Sequence, residues 1–232
     1  MQDTSYELLT IFRDGGFMMI PLVLCSLVAL GVILAKGWTL AVAHLDSKHL
    51  LEHIEELGTG GQLDEAMQMA RETRGPVAAI LVSGLTRVKD EQRGKDIEKA
   101  ISTTGNIELD FLERGMNVLA TIANVAPMLG FLGTVIGMIA AFAAIEAAGQ
   151  VEPALVASGI KVALITTASG LAIAIPVNIF YNWFVSRIDT LIMDMEKGAV
   201  AVLDLIWQAE GIKGPDVSGL NARTAPAQDP KD

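Results

Sequence analysis

Three long blocks of apolar residues without a charged side chain constrain this chain more than any other feature. They cover residues 17–35, 115–145 and 162–186 of the 232. A helix needs about 20 apolar residues to cross the hydrocarbon core of a membrane, and each block approaches or exceeds that length. Because lipid offers the backbone no hydrogen-bond partner, such a block crosses the membrane as a helix. The blocks therefore predict an all-α integral membrane protein with three transmembrane helices.

The remaining composition narrows the possible functions. The formal net charge of −10 argues against a nucleic-acid partner, since nucleic acids attract basic surfaces. Cys25 is the only cysteine, so no intrachain disulfide can form. The sequence has no recognisable nucleophile–base pair, metal-ligand cluster or phosphate-binding loop, and His49 and His53 are best explained as part of a solvated helix face. We predict that the chain is not an enzyme and needs no cofactor or metal.

The distribution of lysine and arginine predicts how the chain crosses the membrane. Residues 36–114 contain ten of them and residues 187–232 contain five, whereas residues 1–16 and 146–161 contain one each. Basic segments favour the cytoplasmic side. The predicted order is an external amphipathic segment (1–16), a first span (17–35), a cytoplasmic helical domain (36–114), a second span (115–145), an external loop (146–161), a third span (162–186), a cytoplasmic helix (187–212) and a disordered tail (213–232).

Helical periodicity continues into the cytoplasmic segments. An amphipathic run after residue 61 is expected to end near Gly75 and Pro76. The next run, from about Asp96, enters the second block with only isolated glycines to interrupt it. That pattern predicts one helix that starts below the membrane and continues through it. A similar run follows the third block, so spans two and three should project into the cytoplasm as long antiparallel helices.

Small residues recur along one face of the second and third spans. In LGFLGTVIGMI (129–139), three glycines and a threonine stand where leucine would insert into lipid more favourably. Small residues let membrane helices approach closely, which replaces the weak hydrophobic drive for pairing in lipid. The predicted helix-packing and partner-binding face consists of Ala123, Pro127, Gly130, Gly137 and Ala141 on the second span and of Ala163, Gly170 and Ala174 on the third.

Hydroxyl and amide groups accompany this face. Counted from the external loop, Thr134 and Thr167 should both lie roughly 18–21 Å deep, at a rise of 1.5 Å per residue. The residues predicted to line an ion pathway are Thr134, Thr167, Thr166, Ser169, Asn124 and Asn178. The alternative is structural, because a membrane threonine often bonds to a carbonyl of its own helix and an asparagine can serve helix packing. No block contains Asp, Glu, His, Lys or Arg, so a proton pathway would need an acid from another chain.

Four segments carry a more specific pattern: GGFMMIPLVLCSLVALGVILAK (15–36), APMLGFLGTVIGMI (126–139), GIKVALITTASGLAIAIP (159–176) and YNWF (181–184). Together they resemble the MotA/TolQ/ExbB proton-channel family, nearest to its ExbB/TolQ branch. The resemblance implies a bacterial inner-membrane protein with a periplasmic N-terminus and a cytoplasmic C-terminus. It also implies a pentameric ring around a pair of single-span ExbD- or TolR-like helices, each with a transmembrane Asp.

In such a family member the ring is the stator of a motor driven by the proton-motive force. The resemblance implies that the motor energises TonB-dependent outer-membrane transport or a Tol-type system, through a TonB- or TolA-like protein. The pore-lining threonines of the family correspond to Thr134 and Thr167. The alternatives are a non-conducting membrane scaffold and a flagellar or gliding-type MotA-like stator.

One departure from the family pattern lies at the start of the third span. Where ExbB and TolQ commonly have a Glu in a GIAEAL-like stretch, this chain has GIKVAL, with Lys161 and Val162. The missing Glu implies a stronger dependence on the acid of the partner. Lys161 is expected either in an outer vestibule or at the membrane interface, where a lysine can extend its charged end to water.

Overall fold

The computed structural model describes residues 10, 12–59, 63–90 and 94–210, and the regular elements within these ranges are all helical. A 3-10 turn at Gly16–Met18 precedes α1 (Met19–Thr59), α2 (Leu63–Glu72), α3 (Pro76–Lys89), α4 (Gly94–Glu113), α5 (Met116–Ala148) and α6 (Pro153–Glu210). Three helical stretches are long and apolar enough to cross a membrane: Gly16–Ala43, Gly94–Ala148 and Val156–Leu203. The predicted all-α fold with three transmembrane helices is confirmed, whereas assembly into a ring stays a prediction.

The chain divides into two compact units. The first, which we call the membrane unit, contains the described chain up to His44 together with Leu109–Leu191. It therefore holds the beginning of α1, the end of α4, all of α5 and the larger part of α6. The second unit contains Leu45–Glu108 and the described chain from Ile192 onward.

Side-chain burial separates packed faces from outward faces in the membrane unit. Leu22, Leu119 and Phe184 are completely buried. Large apolar side chains point outward along all three spans, among them Leu24, Leu27, Phe131, Ile139, Leu164 and Ile179. So large an exposed apolar surface is unusual for a soluble domain, but it is what contact with lipid requires.

The helix predicted to run from near Asp96 through the second span is interrupted. α4 ends at Glu113 and α5 begins at Met116, and the two residues between them form a turn. Gly115 has a φ of +89°, a left-handed conformation that glycine adopts without steric cost. The prediction of one continuous helix is therefore wrong, because a single glycine ends a helix when another group satisfies the carbonyls that the break leaves unpaired.

Lys36 is the group that satisfies those carbonyls. Its Nζ donates to the carbonyl oxygens of Phe111 at 3.2 Å and Leu112 at 2.9 Å, in the last turn of α4. A cation at this position also complements the negative end of the helix dipole. The side chain is only 9% exposed, and its ammonium lies 6.0 Å from the centre of the Phe111 ring. Lys36 thus connects α1 to the end of α4.

The second unit contains a helix that the sequence does not predict. Gly75 and Pro76 were expected only to end a helix, yet Pro76 begins α3, since proline is well suited to the first turn. Lys89 Nζ and Asp64 Oδ1 form a 2.8 Å ion pair between α3 and α2. The hydrogen bond and charge of Lys89 hold the pKa of Asp64 below its ordinary value. Gly84 lets Val202 pack closely, because a Cβ there would lie 2.6 Å from Val202 Cγ1.

α5 and α6 are joined by only four residues, 149–152. Gly149, with a φ of +67°, ends α5, and Pro153 begins α6. Most of the predicted external loop 146–161 is therefore helical at its two ends, and which side of the membrane it faces stays a prediction. α6 continues past the third apolar block to Glu210. Residues 1–9 and 11 of the predicted amphipathic segment, and the predicted tail 213–232, lie outside the described residues.

Candidate ion-pathway site

α5 and α6 pack against each other through glycines that let their backbones approach closely. A Cβ added at Gly130 would lie 3.0 Å from the carbonyl oxygen of Thr166, and one added at Gly137 would lie 3.0 Å from that of Gly159. A Cβ at Gly170 would lie only 2.6 Å from the carbonyl oxygen of Ala126. Contacts to backbone atoms at these distances leave no room for a side chain, which is the close packing predicted for small-residue faces in a membrane.

The predicted small-residue faces of the two spans therefore pack against each other within one chain. Six of the predicted residues are buried: Gly130, Gly137, Ala141, Ala163, Gly170 and Ala174. The face also includes Ala126, Gly133 and Gly159, which the prediction omitted although their spacing is equally helical. The chain's own antiparallel helix covers this face, as predicted for helix packing, and contact of the face with a partner helix stays a prediction. Ala123 and Pro127 lie at its edge and are half-buried.

Thr166, which was predicted to line the pathway, is buried between the two helices. Its exposure is 0%, and its side chain fills the space left by the missing Cβ of Gly133. Its Oγ1 donates to carbonyl oxygens of its own helix, 3.0 Å from that of Val162 and 2.9 Å from that of Ala163. This is the structural role open to a membrane threonine. Thr166 therefore presents no open surface in this chain to an ion or a partner.

Thr167 joins the two helices at the edge of their interface. Its Oγ1 lies 3.2 Å from the carbonyl oxygen of Gly130 on α5 and 3.3 Å from that of Ala163 on its own helix. The side chain is half-buried. A hydroxyl has one proton to donate but two lone pairs, so its oxygen can still accept a hydrogen bond from the exposed side.

Thr134 occupies the same edge of the helix pair. It is half-buried, and its Oγ1 donates to the carbonyl oxygen of Phe131 at 2.6 Å. Because Gly130 lies opposite Thr167, Thr134 is one turn, about 6 Å, further along α5. The two hydroxyls thus lie at depths that agree to within about one turn. Helical geometry directs both away from the side of α6 on which Ile165 approaches Gly15.

The other predicted pathway residues occupy different places. Ser169 lies one turn beyond Ile165, and so on the side of α6 that faces the N-terminal turn rather than on the edge with Thr167. Asn124 is exposed, and its Nδ2 donates to the carbonyl oxygen of Ala120 at 2.8 Å. Asn178 is exposed on α6 and accepts a 3.0 Å hydrogen bond from Nδ2 of Asn182. Asn182 was not predicted, although its spacing of four residues from Asn178 was visible in the sequence.

Lys161 forms an ion pair that the sequence does not reveal. Its Nζ lies 2.5 Å from Oδ2 of Asp14, two residues before the N-terminal turn. Asp14 is the more buried partner, with 29% of its side chain exposed against 57% for Lys161. Lys161 therefore binds the start of the chain to the start of the third span. The two predicted locations of Lys161, an outer vestibule and the membrane interface, did not imply this contact. Asp14 and Lys161 are 147 positions apart in the sequence, so no local pattern connects them.

Comparison with known proteins places this helix pair in a family. The profile of the MotA/TolQ/ExbB proton channel family matches residues 72–197, more than half of the chain. The chain belongs to the MotA/TolQ/ExbB proton channel family. Within it, the chain is 32% identical over 191 residues to a putative biopolymer transport protein ExbB homolog of Methanothermobacter thermautotrophicus, covering 81% of this chain and 66% of that protein.

Other members of the MotA/TolQ/ExbB family are similarly related. The biopolymer transport protein ExbB of Pseudomonas putida is 31% identical over 200 residues, or 81% of this chain and 58% of its own length. The Tol-Pal system protein TolQ of Haemophilus influenzae is 40% identical over 100 residues, or 43% of this chain and 44% of its own. The chain thus spans less than two thirds of the length of these relatives. The three spans and the relatives support the ExbB/TolQ-like branch of a family of multi-pass membrane channels.

Proposed function

We propose that the chain is the stator subunit of an inner-membrane motor driven by the proton-motive force, with a periplasmic N-terminus and a cytoplasmic C-terminus. Five copies surround a single-span partner, similar to ExbD or TolR, that carries a transmembrane Asp. The motor energises TonB-dependent outer-membrane transport or a Tol-type system through a TonB- or TolA-like protein. Support comes from the family and from relatives named as biopolymer transport and Tol-Pal system proteins.

The observation that carries this proposal is the shared edge on which Thr134 and Thr167 lie. The apolar blocks that contain these residues, 115–145 and 162–186, have no Asp, Glu, His, Lys or Arg. A hydroxyl can accept a hydrogen bond from a protonated carboxyl group while it keeps its bond to a carbonyl, and it can donate one to a carboxylate by turning its proton away from that carbonyl. The edge therefore suits a partner's Asp in both protonation states, while supplying no acid of its own that would compete for the proton.

The close packing of α5 on α6 supports the mechanical part of the proposal. Interdigitated glycine contacts hold the two threonines in a fixed relation, so the helix pair can act as one rigid wall. Moving one charge through a membrane potential of 100 mV releases about 2.3 kcal/mol. One proton therefore biases a conformational equilibrium only modestly, and several protons are needed for a mechanical step.

A non-conducting scaffold is the second candidate, because both threonines already bond to carbonyls of this chain. Scaffold and channel both predict co-assembly with a partner helix. Only the channel predicts that loss of a hydroxyl lowers ion flux while assembly persists. The two functions are therefore separable by substituting the hydroxyls alone.

The test is proton flux into liposomes that contain the chain together with its single-span partner. Thr134→Val and Thr167→Val preserve side-chain shape and remove the hydroxyl, and each is expected to lower flux by about tenfold, the effect of losing roughly 1.4 kcal/mol of stabilisation along the path. Co-purification of the partner should remain unchanged.

Thr121→Val is the matched control. Thr121 lies on the same helix and makes the same kind of bond, with Oγ1 2.7 Å from the carbonyl oxygen of Asn117, but it borders the groove shared with α1. Its substitution should leave flux at the wild-type level. If Thr134→Val, Thr167→Val and Thr121→Val all conduct like the wild type, the hydroxyls take no part in transport and the scaffold function is favoured.

A further inference from the structure

Three polar side chains lie on the outward face of α6 further along the helix than Thr167, beyond the exposed Leu171, and we call them the polar stripe. Asn178, Asn182 and Asp189 follow Thr167 by about three, four and six helical turns, so they lie on nearly the same face. All three side chains are exposed. The buried face of the same helix, which includes Gly170, is turned roughly a quarter of a circle away from this stripe.

The two asparagines are not accounted for by packing within the chain. Nδ2 of Asn182 donates to Oδ1 of Asn178 at 3.0 Å. This single bond leaves the Asn178 amide group and the Asn182 side-chain oxygen unpaired among the contacts of the described residues. Asn178 is surrounded on the helix surface by exposed Ile175, Ile179 and Phe180. Because an unpaired amide facing hydrocarbon costs free energy, this stripe faces water or another polar group rather than lipid.

Asp189 ends the stripe at the border of the apolar block. It is the first acidic residue after residues 162–186. No ion pair joins its exposed carboxylate to another side chain in the described part of the chain. The basic residue nearest in sequence, Arg187, is directed instead to the Trp183 ring, whose centre is 5.8 Å from the guanidinium carbon. The carboxylate therefore keeps its negative charge available to a cation at this end of the helix.

We propose that Asn178, Asn182 and Asp189 form the cytoplasmic limb of the ion pathway. The amide pair holds water below the level of Thr167, and the Asp189 carboxylate draws the cation out of this water and releases it to the cytoplasm. When the cation is a proton, the carboxylate binds it from the last water molecule and passes it to bulk water, so no other reactant is needed. This inference rests on the proposed function and adds to it the route that an ion takes after leaving the partner.

The experiment uses proteoliposomes that hold the full chain and its partner, with flux and co-purified partner measured for each variant. Asp189→Asn removes the charge at constant shape and is expected to lower flux by about tenfold, the lower end of what a focused surface charge contributes to the capture of a counter-ion. Asp189→Glu keeps the negative charge and should restore the flux. The double variant Asn178→Leu with Asn182→Leu should lower flux by about fivefold or more. The water proposed to lie beside these two residues then loses its hydrogen-bond partners.

Two controls place the same changes elsewhere. Asn117→Leu replaces an exposed amide that borders the groove with α1, and Glu113→Gln neutralises an exposed carboxylate at the end of α4. Both should conduct like the wild type. If Asp189→Asn and the double variant also conduct normally while Thr134→Val does not, the cytoplasmic limb is wrong and the proposed function stands. If the wild-type complex carries no flux, both are overturned.

Discussion

Glycine at the α5–α6 interface is required by a contact between backbones. Gly170 lies so close to α5 that a Cβ would stand 2.6 Å from the Ala126 carbonyl oxygen. Gly31, on the outward face of α1, has no atom within 4 Å of the same hypothetical Cβ. Two residues of one type in neighbouring spans thus have opposite tolerance to the same substitution, and nothing in their immediate sequence distinguishes them.

Gly170→Ala is therefore expected to destabilise the helix pair. A backbone clash cannot be relieved by a rotamer change, so we expect a loss of about 1–3 kcal/mol in the free energy of unfolding, as for overpacked cores. Gly31→Ala should be neutral or stabilising by up to about 1 kcal/mol, because alanine favours a helix over glycine. Reversible unfolding in detergent micelles measures both. Equal stability of the two variants would contradict the close contact.

Adjacent threonines on α6 differ in burial because they point in different directions. Thr166 and Thr167 are neighbours in the sequence, yet the first is buried against Gly133 and the second reaches the edge of the interface. Successive residues on a helix point about 100° apart, so one threonine faces the neighbouring helix and the other does not. Of these two neighbours, only Thr167 therefore reaches the edge that it shares with Thr134.

At the scale of elements, the end of α4 depends on a residue far away in the sequence. Gly115 allows the chain to turn, and Lys36 holds the carbonyls of Phe111 and Leu112 that the turn exposes. Both residues are needed to end the helix, because Gly115 alone would leave the carbonyl oxygens of Phe111 and Leu112 unpaired. α4 and α5 can therefore change direction at this point without losing hydrogen bonds.

Lys36→Met is expected to loosen the last turn of α4 while keeping a long apolar side chain. Loss of charge-assisted bonds to buried carbonyls should cost about 1.5–3 kcal/mol. Hydrogen exchange of the backbone amides in residues 109–114 should accelerate accordingly. Lys99→Met, a change of the same kind at an exposed position of α4, is the control and should leave this exchange unaltered. Unchanged protection in the Lys36 variant would show that the cap is dispensable.

At the scale of the whole molecule, the spans lack an acid within the membrane. The three charge-free blocks contain no Asp, Glu, His, Lys or Arg, and three of the ionised residues that flank them, Asp14, Lys36 and Lys161, form contacts within the chain. A proton crossing hydrocarbon needs a titratable group or continuous water. In the proposed function, the acid that carries the proton therefore comes from a partner.

Liposomes that contain this chain without a partner are accordingly expected to show no proton leakage above that of protein-free liposomes. Addition of a single-span partner with a transmembrane Asp should produce flux, and its Asp→Asn variant should abolish it. A pH-sensitive dye enclosed in the liposomes measures all three conditions. Robust leakage through the chain alone would overturn the dependence on a borrowed carboxylate, although the small-residue packing of α5 and α6 would remain.

The amino-acid sequence by itself determined the helical class, the three spans and the small-residue faces. Insertion into lipid is a sum of local transfer energies, which residues 17–35, 115–145 and 162–186 reveal through composition alone. The motifs around Thr134 and Thr167 indicated the family, and the profile match confirmed it. Helix ends were less predictable, as α3 and the break at Gly115 show, because a glycine or proline can end one helix and begin another.

Only the tertiary structure decided what each face contacts. It turned Gly130, Gly137 and Gly170 toward the chain's own neighbouring helix, and it brought Asp14 to Lys161 and Lys36 to the end of α4. These contacts join segments separated by tens of residues or more, so their energy depends on relative position in space rather than on composition. A pattern along one helix records which residues are small or polar, but the partner that makes them necessary lies on another part of the chain.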